Sequence, residues 1–264
     1  SKVQIGYAIA DTKNGCIRQY LTTDTSVSTA CGLCGDTQLV YGNCQIARMK
    51  TPKGMDYHKE SKMIVFADQD EAVINLMTYH TTPSSGSLAL LAGTPGDNDY
   101  VDDVALSSKF NKPVSVAIFP RAQSNPTSLF ISEAASGRLR RLVPVSSAGT
   151  VTTVLNFGTN FTGYGLDHRW NSGTGKGTLL WWNNFNGLMH FDITASDSGG
   201  YFLTLGSQAT NLGKFCDENK VVWPATMTDW KIFAIKDSTG TAAGNKDIVV
   251  FGSDCELTTT TTTT

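Results

Sequence analysis

The chain has 264 residues, 21 of them basic and 23 acidic, and a formal net charge of −2. Neither sign of charge forms a long run, so the sequence indicates binding neither to nucleic acid nor to an anionic membrane surface. No apolar stretch approaches the ~20 residues that a membrane-spanning helix needs. The 25 glycines and the low share of charged residues, 17%, favour one all-β domain of many short strands.

A pattern of two consecutive strands repeats along the chain. In each copy an apolar strand ends in a polar turn, and the second strand starts five residues after the turn opens, as a hairpin requires. The copies lie at 7–11 with 16–18, 64–68 with 73–76, 129–133 with 138–140, 179–183 with 188–190, and a fifth begins at 248–253. We therefore expect hairpins here rather than helices.

Further strands complete these hairpins into larger units. A strand follows each of the first four hairpins, and a strand precedes the second, third and fourth. Four strands recurring roughly every 60 residues are typical of propeller blades. The first unit has no obvious leading strand and the last has only two strands, 230–235 and 248–251. Either one blade is left open or one hairpin is surplus, unless a divergent strand is misassigned. An open strand edge is a template for another chain.

The middle of the chain, 92–154, resembles a full repeat of the NHL family of β-propellers. The matching segments are 92–99, 105–106, 110–117, 129–133, 137–141 and 149–154. Glu133 and Asn183 replace the usual aspartate, and Tyr100 stands where glycine is typical. The resemblance implies an all-β fold: a β-propeller of NHL-type blades over residues 1–257, with four complete or nearly complete blades plus a partial fifth.

Six cysteines form an even set, which fits structural disulfides in an oxidising compartment and predicts a secreted, extracellular protein. They are Cys16, Cys31, Cys34, Cys44, Cys216 and Cys255. We expect two bonds among the first four, with the pairing open, and a bond between the last two. The spacing of Cys31 and Cys34 also occurs in redox and zinc sites, but no βαβ setting and no second such pair completes either site here.

Two features predict covalent glycans. Asn160 begins an Asn-Phe-Thr acceptor for N-glycosylation. The C-terminal segment 258–264 has the composition of a mucin-like, O-glycosylated tail. Its residues are Thr258, Thr259, Thr260, Thr261, Thr262, Thr263 and Thr264. Because threonine favours strands, the run could instead add a strand to a neighbour, or it could be a disordered end.

Candidate ligands and catalytic groups do not form a constellation. The aspartates of 97–103 resemble a calcium-binding cluster but lack the glycine and the closing glutamate of an EF-hand loop, so we expect a solvated loop. The histidines, which fall in different units without metal-ligand spacing, are His58, His80, His168 and His190. Neither a nucleophile elbow nor a phosphate-binding glycine loop is present. We expect no cofactor, no metal and no enzyme activity.

The main hypothesis from the sequence is an extracellular structural protein, a glycosylated propeller that assembles with copies of itself into a filament or surface fibril. A head-to-tail contact that does not close propagates into a fibre. The assembly candidates are Ile248, Val249, Val250 and Phe251. By analogy this is similar to mastigoneme-type fibrils, which implies a cell-surface or flagellar appendage. The alternatives are a cell-surface propeller that binds protein or glycan, and a metal-dependent propeller hydrolase or lyase.

Overall fold

The computed structural model describes residues 6–21, 25–78, 85–119, 128–159, 162–171, 176–183, 187–195, 201–204, 232–237, 246–251 and 258–259. These residues form β-strands and turns, with one short 3-10 turn at Thr12–Asn14. Among them no helix is long and apolar enough to cross a membrane. The strands are β1 (Gly6–Asp11), β2 (Cys16–Leu21), β3 (Val27–Cys31), β4 (Gly42–Asn43), β5 (Pro52–His58), β6 (Met63–Asp68), β7 (Val73–Thr78), β8 (Ser87–Ala92), β9 (Pro113–Phe119), β10 (Ser128–Glu133), β11 (Arg138–Val143), β12 (Thr150–Asn156), β13 (Gly163–Asn171), β14 (Lys176–Asn183), β15 (Gly187–Ala195), β16 (Tyr201–Thr204), β17 (Ile232–Asp237), β18 (Lys246–Phe251) and β19 (Thr258–Thr259).

The strands form antiparallel sheets that follow one another in chain order. We name them blade 1 (β1–β3), blade 2 (β5–β8, with β4 beside β8), blade 3 (β9–β12), blade 4 (β13–β16) and the last sheet (β17–β19). The four complete hairpins expected from the sequence are present, and leading strands stand before the hairpins of blades 2, 3 and 4. The all-β, propeller-type fold is thereby confirmed. The two-residue strand β4 escapes sequence analysis because it depends on its partner strand, whereas β19 lies in the threonine run that was given as a possible strand.

The chain divides into two compact units, Ser1–Asn211 and Leu212–Thr264. Blades 1 to 4 lie in the first unit, and the last sheet lies in the second. This division does not test the predicted boundary between the propeller, 1–257, and the threonine tail, 258–264, which stays a prediction.

Apolar cores lie between blades 1 and 2, between blades 2 and 3, and between blades 3 and 4. In β6, Val65 and Ala67 belong to the core shared with blade 3, while Ile64 and Phe66 belong to the core shared with blade 1. Successive residues of a strand point to opposite faces, so a strand packed on both sides is apolar throughout. Truncating a buried phenylalanine such as Phe66 to alanine costs about 3–5 kcal/mol in general.

The leading strands of blades 2, 3 and 4, which we call inner strands, are joined in that order by hydrogen bonds between neighbours. The Asp56 carboxylate on β5 accepts a hydrogen bond from the Ile118 amide on β9 at 2.8 Å. The Leu166 amide on β13 donates to the Ser115 hydroxyl on β9 at 3.0 Å. A Cβ at Gly54 would stand 2.8 Å from the Cα of Ser115, so only glycine permits this approach.

Two loops, 32–51 before blade 2 and 93–112 before blade 3, share one backbone structure. Val40 pairs with Arg48 in the first and Val101 with Lys109 in the second, each as an isolated bridge. The amide of the opening glycine donates to a backbone carbonyl twelve residues on in both, at 2.9 and 2.8 Å. A constant offset of 61 positions relates the loops, so that Asp36–Arg48 and Asp97–Lys109 are equivalent ion pairs, each of 2.7 Å.

Candidate functional site: the open edge of blade 1

Blade 1 lacks an inner strand in the described part of the chain. In the other three blades, the first strand of the hairpin pairs with an inner strand on its second side: β6 with β5, β10 with β9 and β14 with β13. Strand β1 holds the same place in the repeat and pairs with β2, and among the described strands it is the edge of its sheet. Backbone donors and acceptors along such an edge can pair with an added strand.

Exposure separates β1 from its equivalents. All residues of β6 and of β10 are buried, whereas Tyr7 and Ile9 of β1 are 55% and 44% exposed. Tyr7 pairs across the sheet with Tyr20, which pairs with Val27, and Val27 is 53% exposed. These residues lie on the face of blade 1 that points away from blade 2, and we call Tyr7, Ile9, Tyr20 and Val27 the free face. Contiguous apolar patches on a soluble protein commonly mark an interaction site.

The inner strand of blade 2 also has an exposed residue where it faces blade 1. Met55 and Tyr57 lie on the face of β5 that points toward blade 1, and Tyr57 is 41% exposed. Their equivalents on β9, Val116 and Ile118, are 2% and 0% exposed because they pack in the core shared with blade 2. A strand placed beside β1 would cover Tyr57 as blade 2 covers Ile118.

A carboxylate at the end of the hairpin's first strand holds the start of the inner strand, and we call it the anchor acid. The Asp68 carboxylate accepts hydrogen bonds from the amides of Lys50 and Thr51, at 2.8 and 2.9 Å, just before β5 begins. The Glu133 carboxylate accepts one from the Asn111 amide, 3.3 Å away and two residues before β9. Burial raises the pKa of both carboxyls, against the opposing effect of these hydrogen bonds.

Asp11 stands at the anchor-acid position of blade 1, where the described residues supply no inner strand. Its two carboxylate oxygens accept hydrogen bonds from the side-chain amide of Asn14, at 2.9 and 3.0 Å, at an exposed position. Sequence analysis aligned Asp11 with Asp68 and Glu133 but assigned it no role. The sequence shows an acidic residue at the end of the first hairpin strand in blades 1, 2 and 3. Its role as a hydrogen-bond acceptor for the loop amides is visible only in the structure.

The aspartates of 97–103 are engaged in structural contacts. Arg140 is fully buried, and its guanidinium contacts Asp102 at 2.6 Å and Glu133 at 2.7 Å. Asp102 also accepts the Thr153 amide, while Asp97 pairs with Lys109. Within the described residues, no group of three or more His, Cys, Asp or Glu is arranged to hold a metal ion.

Two disulfides fasten blade 1 and the loop 32–51, which confirms two bonds among the first four cysteines. Cys16 bonds Cys34, and Cys31 bonds Cys44. Because Cys31 and Cys34 belong to different bonds, their spacing does not form a redox pair. Cys216 and Cys255, with the bond predicted between them, lie outside the described residues.

The remaining predicted site residues are not brought together. Residues 248–251 lie in β18, whose Val249 and Val250 pair with Thr259 and Thr258 of β19 on one side, while β17 lies on the other. The role of β18 in assembly stays a prediction, as does glycosylation of Thr258 and Thr259. Asn160 and the tail beyond residue 259 lie outside the described residues.

The histidines occupy separate places. His58 is fully buried at the end of β5 and makes a 2.7 Å hydrogen bond with Ser61. His168 on β13 is buried 3.9 Å from the Asp56 carboxylate. His190 lies in β15, and His80 is outside the described residues.

Comparisons with known proteins find similarity only at a low level. No family model and no curated protein matches the chain. An auxiliary nutrient binding protein of Bacteroides thetaiotaomicron shares 14% identity with a TM-score of 0.48, over 66% of this chain and 42% of that one. An auxiliary nutrient binding protein of Bacteroides ovatus gives 12% identity and a TM-score of 0.42, over 56% of this chain and 33% of that one. A Bacteroides uniformis protein provisionally assigned as a 6-phosphogluconolactonase gives 12% and 0.47, over 98% and 68%.

The chain spans less than half the length of both nutrient binding proteins. At these identities and TM-scores the likeness transfers neither a family nor a function to this chain. The class of the protein therefore rests on its own sheets. Blades 1 to 4 are consecutive antiparallel sheets of the β-propeller type, with three strands described in blade 1 and four or more in the others, and they share apolar cores.

Proposed function

We propose that this protein is an extracellular binding module of the β-propeller type that takes up an extended polypeptide strand at blade 1. The observation that carries the proposal is the exposure of β1. Among the described strands β1 is an edge strand with exposed apolar residues, whereas its equivalents β6 and β10 lie between two strands and are wholly buried. Strand addition supplies main-chain hydrogen bonds, and alternate side chains supply specificity. The disulfides support an extracellular location, since such bonds persist in oxidising compartments.

A second candidate is the structural subunit of a filament, in which the added strand comes from another copy of the chain. The same edge favours it, because a contact between unlike surfaces that does not close continues from one copy to the next. NHL-type blades, a glycosylated threonine tail and a mastigoneme-like fibril belong to this candidate. Binding rather than catalysis is proposed in both cases, since the described acids at the blade ends hold backbone amides.

A labelled peptide tests the proposal without knowledge of the natural ligand. The probe is a fluorescein-labelled peptide of residues 111–119, which contains β9 and the residues held by an anchor acid. Fluorescence anisotropy with the intact chain should show saturable binding. The same peptide carrying Ala117→Pro should not bind, because proline removes a backbone donor and cannot sit inside a paired strand.

Variants locate the binding at β1. Ile9→Lys places a charge on the free face beside the added strand and should weaken peptide binding about tenfold, which corresponds to about 1.4 kcal/mol. Ile46→Lys is the control, since Ile46 is 59% exposed on the loop 32–51 and should leave binding unchanged. Absence of saturable binding to the unaltered chain, or equal binding by Ile9→Lys, would contradict the proposed function.

A further inference from the structure

We propose that the loop 93–112 carries a second binding surface, which takes a basic polypeptide segment with aliphatic side chains. This surface combines exposed apolar residues with aspartates that have no cationic partner, and we call it the loop face. Its residues are Asp99, Tyr100, Asp103, Val104 and Leu106. The loop face lies beside β12 of blade 3 and uses no residue of β1, so its role is separate from the function proposed above.

Three large apolar side chains are exposed within seven residues of this loop. Tyr100, Val104 and Leu106 are 48%, 49% and 48% exposed, whereas Ala105 is buried. The Tyr100 ring lies over the buried guanidinium of Arg138, whose Cζ is 3.3 Å from the ring centroid, and this contact leaves the ring accessible. Exposed apolar groups that are rimmed by polar residues commonly mark an interaction site.

Main-chain hydrogen bonds to the strand beside it hold the loop in place. The Ala105 amide donates to the Gly149 carbonyl at 2.7 Å, and the Val151 amide donates to the Asp103 carbonyl at 2.8 Å. The loop and β12 are described throughout. A surface that is already ordered loses little conformational entropy when a partner binds.

Two aspartates of the loop face have no cationic partner in the described part of the chain. The other acids of the loop, Asp97 and Asp102, form ion pairs. The carboxylates of Asp99 and Asp103 each accept the next amide along the chain, at 2.8 and 2.7 Å. The hydrogen bond to Asp97 raises the pKa of Lys109, and the charges of Asp97 and Asp99 raise it further. A cationic partner complements these carboxylates.

The equivalent loop, 32–51, shows that the fold does not require these residue types. A turn that closes on the carbonyl of Asn43 in that loop recurs on the carbonyl of Val104. Four of the five positions of the loop face carry an uncharged polar residue or glycine there: Gln38, Gly42, Asn43 and Gln45 stand for Asp99, Asp103, Val104 and Leu106. One backbone conformation therefore accepts both sets, and the acidic and apolar set suits a partner rather than the fold.

A basic segment with aliphatic side chains matches both properties of the loop face. Its cationic groups pair with Asp99 and Asp103, while its aliphatic carbons cover Val104 and Leu106. A neutral apolar partner would bury the two carboxylates without a cation, which is costly. A polypeptide supplies charged and aliphatic groups on one chain, and the pairing of charges supplies the specificity.

A labelled peptide tests the proposal. The probe is a fluorescein-labelled peptide of three Lys-Leu-Pro repeats, whose prolines prevent its addition as a strand at blade 1. Fluorescence anisotropy with the intact chain should show saturable binding that weakens as the salt concentration rises. Peptides of Glu-Leu-Pro or Lys-Ser-Pro repeats, which lack the positive charge or the aliphatic group, should not bind.

Exchange of the apolar residues for those of the equivalent loop locates the binding. Val104→Asn with Leu106→Gln should weaken binding about tenfold, because the aliphatic contact is lost. The loop 32–51 has these residues at the same places, so the variant should fold, and a thermal melt checks this. Ile46→Ser is the matched control, since Ile46 is 59% exposed on that loop and its replacement should leave binding unchanged.

The two carboxylates are tested at constant net charge. Asp99→Asn with Asp103→Asn should weaken binding about fivefold, since asparagine keeps an acceptor for the amide and loses the charge. Asp36→Asn with Glu60→Gln changes the net charge equally at places outside the loop face and should leave binding unchanged. Equal weakening by both double variants would mean that net charge alone attracts the peptide, and would overturn the proposal.

The other outcomes separate this surface from β1 and from self-association. Absence of saturable binding, or unchanged binding by Val104→Asn with Leu106→Gln, would overturn the proposal. So would self-association of the unaltered chain, seen by sedimentation velocity, that this variant abolishes, because a second copy would then cover the loop face. Ile9→Lys should bind the Lys-Leu-Pro peptide normally. Binding of the peptide of residues 111–119 alone would remove the loop face and leave the proposed function standing.

Discussion

The loops 32–51 and 93–112 have the same backbone conformation but are stabilised by different internal contacts. In the first, a disulfide joins Cys31 to Cys44, while in the second the equivalent residues are the buried alanines Ala92 and Ala105. Both loops open on a glycine with a φ near +100°, a conformation that other residues rarely adopt. The glycine positions and the main-chain bridges thus determine the backbone conformation of the loop. Its interior can be stabilised either by a disulfide or by packed alanines.

The side chains that connect each loop to its blade also differ between blade 2 and blade 3. Tyr41 donates to Asn75 at 3.1 Å in blade 2, where blade 3 has the ion pair of Asp102 with Arg140. Burial raises the pKa of Tyr41, so its hydroxyl remains a neutral donor. A neutral hydrogen bond in blade 2 and a buried charge network in blade 3 therefore occupy equivalent positions of the repeat. Removing one partner should lower the free energy of unfolding much more in the charge network.

The largest effect is expected from breaking the charge network. Arg140→Met leaves Glu133 buried without its cation, so the free energy of unfolding should fall by about 3–5 kcal/mol. Asn75→Leu at the equivalent position of blade 2 removes a neutral hydrogen bond and should cost about 1 kcal/mol. Urea unfolding measures both free energies. Equal losses would show that the charge network and the neutral hydrogen bond contribute equally to stability.

The disulfide is the next largest contribution. Replacing both Cys31 and Cys44 by alanine reproduces the interior of the second loop and should cost about 3 kcal/mol, as expected for a short closed loop. The reverse exchange, Ala92→Cys with Ala105→Cys, should form a new disulfide that non-reducing mass spectrometry detects. Absence of that bond would mean that the loops differ more inside than their backbones show.

Two neighbouring aspartates should respond to pH in opposite directions. Burial raises the pKa of Asp68, so the stability it contributes is present below about pH 4 and is lost as pH rises through the raised pKa. The hydrogen bond from Lys112 lowers the pKa of Asp70, so its contribution is present above about pH 4 and is lost as pH falls.

Substitution by asparagine separates the two cases. Relative to the unaltered chain, Asp68→Asn should gain stability as pH rises from about 3 to 7, and Asp70→Asn should lose it. Urea unfolding at several pH values measures both trends. Parallel trends would contradict the assignment of burial as the dominant effect on Asp68.

The smallest effect is expected at the exposed ion pairs that the two loops share. Asp36→Asn should lower the free energy of unfolding by no more than about 1 kcal/mol, because exposed pairs contribute little. Asp97→Asn is its counterpart in the second loop and should rank equally low. Thermal melts in low and high salt measure both, and a large effect of either would show that the pair holds the loop together.

Much of the fold could be predicted from the sequence, and less of the site. The hairpins and the short first blade follow from alternation and turn residues, which are local properties. The equivalence of the two loops was missed, although its signal, Asp36 and Arg48 recurring as Asp97 and Lys109, is present in the sequence. The contact of Asp102 with Arg140 joins residues 38 positions apart, so it depends on how the blade packs.

The sequence by itself determined which segments form strands, because period-two alternation and turn chemistry act within a few residues. Only the tertiary structure decided which cysteines pair, since a disulfide requires Cα atoms within about 7 Å and the loop fold sets that distance. It also decided that β1 is exposed while β6 is buried. The two segments are similarly apolar, and burial depends on whether a neighbouring strand and blade are there to cover them.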